Sequence, residues 1–222
     1  MKQPFWKKIL SYVYEFHVES IAGDINDTLH VSYTQGRYQL STQNAIYSFG
    51  DLYTNYYQAF EQINLDKYDI QNVLILGFGL GSIPLMLENN FHKNYNYTGV
   101  EIDEYVIYLA DKYVTYALKS PIDIISTDAL TFVKICQQRF DLICVDIFLD
   151  DVIPDDFQQQ DFLESVKLLL TKNGIVLYNR LAQTEEDKKD STIFFKEEFL
   201  PVFPKGRYID VDGNWMFTNI SD

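Results

Sequence analysis

The sequence has few cysteines, glycines, prolines and basic residues. Its 222 residues include only two cysteines, which is too few for a disulfide framework. Ten glycines and six prolines, together with 47% hydrophobic residues, exclude a collagen-like, low-complexity or disordered chain. Both cysteines, Cys136 and Cys144, lie in apolar stretches, so we expect reduced and buried thiols in a compact globular protein.

Basic residues are outnumbered by acidic ones, 18 to 32, and the formal net charge is −14. A field of that sign repels phosphate backbones and anionic lipid, so neither nucleic acid nor a membrane is an expected partner. The apolar runs are far shorter than the roughly 20 residues that cross a bilayer, and no apolar signal core follows the N-terminal lysines. A cytoplasmic protein is therefore expected.

Aromatic residues, in contrast, are plentiful, with 17 Tyr, 16 Phe and 2 Trp. Because one core of this size needs fewer, we expect an exposed apolar surface and, with it, a homodimer. The three histidines, His17, His30 and His92, are scattered along the chain, and no Cys/His spacing indicates a metal site.

The first 48 residues are predicted to form a small β appendage. Aromatic and β-branched residues alternate over residues 9–19, which favours a half-exposed strand. Residues 29–33 and 37–41 flank Thr34-Gln35-Gly36, a hairpin turn signal in which glycine supplies a positive φ. A helix is predicted over residues 51–65. We therefore divide the chain into an appendage, residues 1–48, and a main domain, residues 49–222.

The main domain alternates short continuous apolar runs with longer amphipathic ones. Continuous apolar strands are typical of a parallel sheet covered by helices on both faces. Asp212-Gly213-Asn214 signals a final antiparallel hairpin, and residues 183–190 are interpreted as a solvated loop before a helix. The predicted fold is α/β: a doubly wound, mostly parallel seven-stranded sheet of the Rossmann-like kind, with a C-terminal antiparallel hairpin.

A glycine-rich loop, Gly77-Phe78-Gly79-Leu80-Gly81-Ser82, lies between the first predicted strand of this domain and the next helix. Glycines there let the backbone turn sharply and approach a ligand, although such turns also serve packing alone. The following strand ends in Glu101-Ile102-Asp103, where a carboxylate can accept hydrogen bonds from ribose hydroxyls. The dinucleotide-binding pattern G-x-G-x-x-G is matched imperfectly, because Ser82 stands at its last glycine. The pattern G-x-G-x-G is matched in full by Gly77, Gly79 and Gly81.

Asp128 follows the third strand of the domain and allows two interpretations. It can cap the next helix, or it can accept a hydrogen bond from an adenine amine, and the two roles are compatible.

These motifs resemble those of class I S-adenosylmethionine-dependent methyltransferases, and most of all the spermidine-synthase-like branch. The motifs are residues 73–81, 100–104, 128–129 and 140–146. The resemblance implies that Gly77, Gly79 and Gly81 pass under the methionine part of S-adenosylmethionine. It further implies that Glu101, with Asp103 beside it, holds the ribose. Asp128 and Ala129 would bind adenine.

The resemblance also places Asp146 at the reacting centre. The net charge of −14 and the carboxylates near that centre favour a small-molecule acceptor that is cationic. Asp150 and Asp151 could be the base or bind a cationic substrate, with a solvated acidic loop as the alternative, and Tyr47 could close the pocket. Aminopropyl-transferring members of this branch, which use decarboxylated S-adenosylmethionine, carry an Asp where this chain has Leu80.

Three functions follow from these observations. Methyl transfer to an amine-bearing or cationic acceptor is favoured, because Leu80 cannot neutralise a cationic amine and the acidic balance favours cations. Aminopropyl transfer is the first alternative, and a non-catalytic adenosyl-ligand-binding relative is the second.

Overall fold

A computed structural model describes residues 3–23, 25, 28–43, 45–149 and 152–221. The N-terminal part forms a four-stranded antiparallel sheet. Its strands, in both chain order and spatial order, are β1 (Phe16–Ile21), β2 (Leu29–Thr34), β3 (Arg37–Ser41) and β4 (Ile46–Ser48). The predicted hairpin between β2 and β3 is confirmed, with a φ of 75° at Gly36 in its turn.

The second sheet has seven strands and forms the centre of the molecule. Its parallel strands are β5 (Asn72–Leu76), β6 (Asn96–Glu101), β7 (Ile122–Ser126), β8 (Phe140–Val145) and β9 (Leu170–Leu181), and its antiparallel hairpin is β10 (Arg207–Asp210) with β11 (Asn214–Thr218). The spatial order is β10-β11-β9-β8-β5-β6-β7, so the order reverses between β5 and β8. A reversal of this kind opens a crevice at the carboxyl ends of the two strands.

Helices cover both faces of the large sheet. They are α2 (Thr54–Ile63), α3 (Ser82–Asn89), α4 (Glu104–Tyr113), α5 (Ala129–Ile135), α6 (Gln160–Leu169), α7 (Glu185–Phe194) and α8 (Leu200–Val202), and a π-helical turn, Phe195–Phe199, joins the last two. Helix α1 (Phe5–Leu10) instead ends beside the β2–β3 turn of the appendage. Within the residues described, none of these helices has the length and apolar character needed to cross a membrane. The predicted α/β fold, with its mostly parallel sheet and final hairpin, is confirmed.

The sheet is buried on both faces because successive residues of each central strand enter different apolar clusters. On β5, Val73 and Ile75 belong to one cluster, and Leu74 and Leu76 belong to the other. The first cluster also contains Leu29, Val31 and Leu40 of the appendage. The appendage therefore packs against one face of the central sheet, and the boundary at residue 48 stays a prediction.

Two local predictions are wrong. The strand predicted over residues 9–19 is instead the end of α1, a turn, and β1. Pro4, with an extended backbone, precedes the helix, and the Ser11 hydroxyl donates to the carbonyl of Lys8 at its end. Tyr12 and Tyr14 are exposed in the turn, whereas Phe16 begins β1 and pairs with Tyr33.

The predicted loop over residues 183–190 is mostly helix α7. Thr184 and Asp187 form a capping box, in which each side chain accepts from the other's backbone N–H. This signal stabilises a helix start even where apolar periodicity is weak. Of the two cysteines, Cys144 is buried as predicted, but Cys136 is partly exposed at the end of α5.

Apolar side chains of α1 and the turn after it are exposed to an unusual degree. Trp6 is 60% exposed and Val13 is 91% exposed, and no residue of α1 is buried. Monomeric proteins seldom leave such surfaces open. The homodimer stays a prediction, and this N-terminal segment is where we expect its contact.

Candidate functional site

A cavity of about 740 Å³ opens at the carboxyl ends of the central strands, where the strand order reverses. Its volume is typical of a small-molecule site. The walls come from the glycine loop, from the ends of β6, β7 and β8, from β9, and from β4 of the appendage. The cavity therefore joins every motif that the sequence singled out.

The glycine loop turns through three left-handed positions. The φ values are 85° at Gly77, 55° at Gly79 and 81° at Gly81. All five backbone amides from 77 to 81 donate to protein acceptors: those of residues 77 and 78 to the Val100 carbonyl, that of 79 to Glu101, that of 80 to the Ser48 hydroxyl, and that of 81 to the Phe78 carbonyl. The loop is held in shape by the chain itself.

Gly77 also sets how closely β5 and β8 approach each other. A Cβ atom at this position would lie 2.1 Å from the carbonyl oxygen of Asp146, a distance that no real contact allows. The glycine therefore brings the loop and Asp146 together at one point of the cavity.

Gly77→Ala is expected to lower the free energy of unfolding by more than about 3 kcal/mol, because it adds a backbone clash to a strained φ. The matched control is Gly36→Ala, whose φ of 75° is similar but whose nearest neighbour is a movable lysine carbon at 3.2 Å. That variant should lose roughly 1–2 kcal/mol. Urea unfolding measures both, and equal losses would contradict the proposed contact.

Ser48 connects the appendage to the loop. Its hydroxyl lies 2.6 Å from the Ser82 hydroxyl and accepts from the Leu80 N–H at 3.2 Å. The Ser82 hydroxyl also accepts from the N–H of Phe49. Strand β4 is thereby fixed over the loop. Tyr47, half-buried, lies on the cavity wall, and its role in closing the pocket stays a prediction.

Glu101 lies at the end of β6 and lines the cavity. Its carboxylate accepts from the backbone N–H groups of Gly79 at 3.0 Å, Ile102 at 3.0 Å and Asp103 at 3.2 Å. Burial raises the pKa of this carboxyl, and the three N–H donors partly oppose that rise. A carboxylate has about four acceptor sites, so one remains for a ligand hydroxyl.

The other residues predicted to bind the ribose and adenine also line the cavity, but two of them cap helices. Asp103 caps α4 by accepting from the Tyr105 N–H, and Asp128 caps α5 by accepting from the N–H groups of Leu130 and Thr131. Both aspartates and Ala129 line the cavity. For Asp128 the capping interpretation is thus seen directly, and its contact with adenine stays a prediction.

Asp146 ends β8 and lies at the centre of a small hydrogen-bond network. Its Oδ1 accepts from the Tyr53 hydroxyl at 3.3 Å and from the Asn179 side-chain amide at 2.9 Å. Burial raises the pKa of Asp146 from 3.8 to about 6, although the Asn179 and Tyr53 hydrogen bonds lower it. A carboxyl that titrates near neutral pH can exchange a proton with a substrate.

Other predicted features fall elsewhere. Asp150 and Asp151 lie outside the described residues, and their role stays a prediction. Leu80 is 1% exposed and belongs to the apolar cluster under the appendage rather than to the cavity wall.

Several residues of the cavity wall were not predicted, including the following three. Tyr53 precedes α2, Asn214 begins β11, and Asp187 lies in α7; all three line the cavity. Asn179, which the sequence left without an assigned role, is their neighbour on β9. A signal existed only for Asp187, since Thr184-x-x-Asp187 is a capping pattern.

The charged lining of the cavity has one sign. Among the described residues it contains carboxylates and no lysine, arginine or histidine. The carboxylates belong to Glu101, Asp103, Asp128, Asp146 and Asp187. Such a cavity favours cationic ligands.

Two of the three histidines, scattered in the sequence, are neighbours in space. His17 and His30 both contact the Ser20 hydroxyl on the appendage, at 3.4 Å and 2.8 Å. In the part of the chain that the structure describes, no group of three metal-ligating side chains comes together.

The chain matches the family described as spermine/spermidine synthase domain over residues 58–209. Among curated relatives, the polyamine aminopropyltransferase of Vibrio vulnificus (strain CMCP6) is 27% identical over 118 residues, covering 52% of this chain and 39% of that protein. The human eEF1A lysine and N-terminal methyltransferase is 26% identical over 133 residues, covering 54% of this chain and 19% of that protein. The chain thus aligns with less than half the length of either relative.

Solved structures show the same fold. The spermidine synthase of Thermotoga maritima superposes with a TM-score of 0.70 at 16% identity, covering 91% of this chain and 72% of that one. Human methyltransferase-like protein 13, in complex with SAH, superposes with a TM-score of 0.57 at 23% identity, covering 69% of this chain and 73% of that one. The chain has the class I methyltransferase fold and belongs to the spermine/spermidine synthase domain family.

Proposed function

We propose that this protein is an S-adenosylmethionine-dependent methyltransferase that acts on a small amine-bearing or cationic acceptor. One observation carries the proposal: the described cavity wall has five carboxylates and no basic side chain, and the pKa of one of these carboxyls, Asp146, is about 6. A positively charged sulfonium cofactor and an ammonium acceptor are both attracted to such a lining.

The residues present fit the cofactor. Glu101 retains one acceptor site for a ribose hydroxyl beside its three backbone donors. Ile102 is 48% exposed yet lines the cavity, and it offers an apolar surface for a flat base next to Asp128 and Ala129. Bound S-adenosylmethionine supplies an electrophilic methyl group on its sulfonium.

Asp146 is the candidate base. An amine must lose a proton to become a nucleophile, and an ionised carboxylate on the cavity wall can hold the ammonium and then accept that proton. Tyr53 and Asn179 both donate to Oδ1, which orients the carboxylate and leaves Oδ2 without a hydrogen bond from either of them. The chain thereby supplies orientation and proton transfer, which are the main demands of methyl transfer.

Leu80 favours methyl over aminopropyl transfer. Binding the free amine of an aminopropyl donor would require an aspartate at this position. This chain has a leucine there instead, and its apolar side chain is packed into the core. An amine in the cavity therefore finds no carboxylate at residue 80.

Aminopropyl transfer is the second candidate, and a different observation favours it. S-adenosylmethionine carries a carboxylate that its decarboxylated form lacks, and the described cavity wall has no basic side chain to pair with that group. The match to the spermine/spermidine synthase domain family is consistent with this candidate.

Incubation with an amine panel and a lysine-bearing peptide, with S-adenosylmethionine in one arm and its decarboxylated form in the other, distinguishes these functions. We expect mass spectrometry to detect the gain of one methyl group on a small amine, and Asp146→Asn to abolish it. The gain of an aminopropyl group would overturn the proposal. Methylation of the peptide alone would point to a protein acceptor, and cofactor binding without any product would indicate a non-catalytic relative.

A further inference from the structure

Three polar side chains from three separate strands form one chain of hydrogen bonds at the base of the cavity. The Asn214 side-chain NH₂ on β11 donates to the Asn179 Oδ1 on β9 at 2.9 Å. The Asn179 NH₂ then donates to the Asp146 Oδ1 at the end of β8, also at 2.9 Å. Asn179 is 1% exposed and Asn214 is 7% exposed.

The direction of these bonds is dictated by chemistry. An ionised carboxylate only accepts hydrogen bonds, so Asn179 must turn its NH₂ group toward Asp146. Its carbonyl oxygen then faces away, buried, and needs a donor. Asn214 is that donor, and its backbone is fixed in the β9–β11 pairing opposite Leu181.

We propose that Asn214 is a positioning residue for Asp146: its side-chain amide holds Asn179 in the orientation that keeps two donors, Asn179 and Tyr53, on the Asp146 carboxylate. Without Asn214, the Asn179 amide can rotate and present its oxygen to the carboxylate. The consequence for turnover rests on the proposed function, but the effect on the ionisation of Asp146 does not.

The titratable side chains packed directly against Asp146 are neutral in the pH range that matters, whereas the other four described carboxylates of the cavity belong to other walls. Burial raises the pKa of Tyr53 and Tyr56 on the α2 side, and it raises the pKa of the Cys144 thiol on β8. The amide of Asn179 on β9 does not titrate. Among the described residues in contact with Asp146, its ionisation is therefore controlled by burial and by hydrogen bonds. The hydrogen bonds from Asn214 to Asn179 and from Asn179 to Asp146, called the relay below, orient one of these donors.

Carboxyl-carbon NMR titration tests the proposal without any need for turnover. The Asp146 resonance is assigned as the one lost in Asp146→Asn, and its midpoint in the wild type is expected at about 6. Asn214→Ala removes the donor without adding charge and should raise the midpoint by roughly half a pH unit. Asn214→Asp replaces the donor with an acceptor at the same size and should raise it by roughly one unit or more.

The control for added charge is Gln183→Glu, which puts a carboxylate on the exposed wall of the same cavity, beside Gly213 but outside the hydrogen bonds that join Asn214, Asn179 and Asp146. It should shift the midpoint by less than half of the Asn214→Asp effect. An unchanged midpoint in Asn214→Ala, or equal shifts in Asn214→Asp and Gln183→Glu, would overturn the proposal. If Asn214→Asp fails to fold, Asn214→Ala still decides.

Turnover then provides a separate readout. If the enzyme methylates an amine, the acid limb of the kcat/KM profile should move with the NMR midpoint in each variant. If the Asp146 midpoint shifts in the variants but neither the wild type nor any variant turns over substrate, the positioning role of Asn214 is supported and the proposed function is rejected. If the enzyme turns over but the acid limb of its kcat/KM profile does not move with the NMR midpoint, the link between Asn214 and Asp146 in turnover is rejected.

Discussion

Asp146→Asn is expected to abolish turnover and, at the same time, to stabilise the protein above neutral pH. The loss of a general base reduces rates by roughly 10²–10⁴-fold. The Asn side chain keeps an oxygen that can accept from Tyr53 and Asn179, so the network of neutral donors is retained. The buried charge is removed, and with it the cost of ionising this carboxyl inside the protein.

The sign of the stability change follows from proton linkage. The pKa of Asp146 is about 6 in the folded protein, against an ordinary value of 3.8, so the folded state binds its proton more tightly. Wild-type stability therefore falls as the pH rises from about 4 through about 6, and Asp146→Asn lacks this fall. The variant should match the wild type below about pH 4 and exceed it by about 1–3 kcal/mol at about pH 8.

Asp141→Asn is the matched control on the same strand. Asp141 lies at the other end of β8, where its carboxylate accepts from the backbone N–H groups of Gln71 and Asn72 and from the Thr171 hydroxyl. This variant should lose roughly 1–3 kcal/mol and keep its turnover. Urea unfolding at both pH values measures the effects. A less stable Asp146→Asn at about pH 8 would show that Asp146 is a structural acid.

Glu101→Ala is expected to weaken binding of the demethylated cofactor product by roughly 10- to 150-fold, or about 1.5–3 kcal/mol, the range for hydrogen bonds to a charged group. The same substitution leaves three backbone N–H groups without their acceptor, including that of Gly79 in the loop. Glu101→Gln, which keeps one acceptor oxygen at the same size, should lose less.

Calorimetry measures these affinities, and circular dichroism checks that each variant is folded. The control is Glu104→Ala, which removes an exposed carboxylate three residues further along that does not line the cavity. Its affinity should equal that of the wild type. Equal binding by Glu101→Ala and the wild type would reject the ribose assignment, and tighter binding of NAD than of either adenosyl ligand would indicate a dehydrogenase.

The sheet and the glycine loop could be predicted because their signals are local. Each central strand is a continuous apolar run, and Gly77, Gly79 and Gly81 stand directly between a strand and a helix. The capping pattern at Thr184 was equally local, but the polar run that contains it masked the start of α7.

The network around Asp146 could not be predicted in the same way. Asp146 is 93 positions from Tyr53 and 33 positions from Asn179 in the sequence. Asn179 is in turn 35 positions from Asn214. Tyrosine and asparagine are common residues, so their presence alone indicates no network. Only the pairing of β9 with β8 and β11 brings Asp146, Asn179 and Asn214 together. Strand order, which short-range patterns do not specify, decides their contact.

The internal hydrogen bonds of the glycine loop decide which ligands this Rossmann-like fold can accept. In dinucleotide-binding proteins the same strand-turn-helix offers N–H groups to a pyrophosphate. Here every amide from residue 77 to 81 already has an acceptor, and the side chains that hold the loop in place are a serine and a partly buried carboxylate. An incoming pyrophosphate would have to break those bonds beside a negative charge, so the corner of the fold that elsewhere selects anions here rejects them.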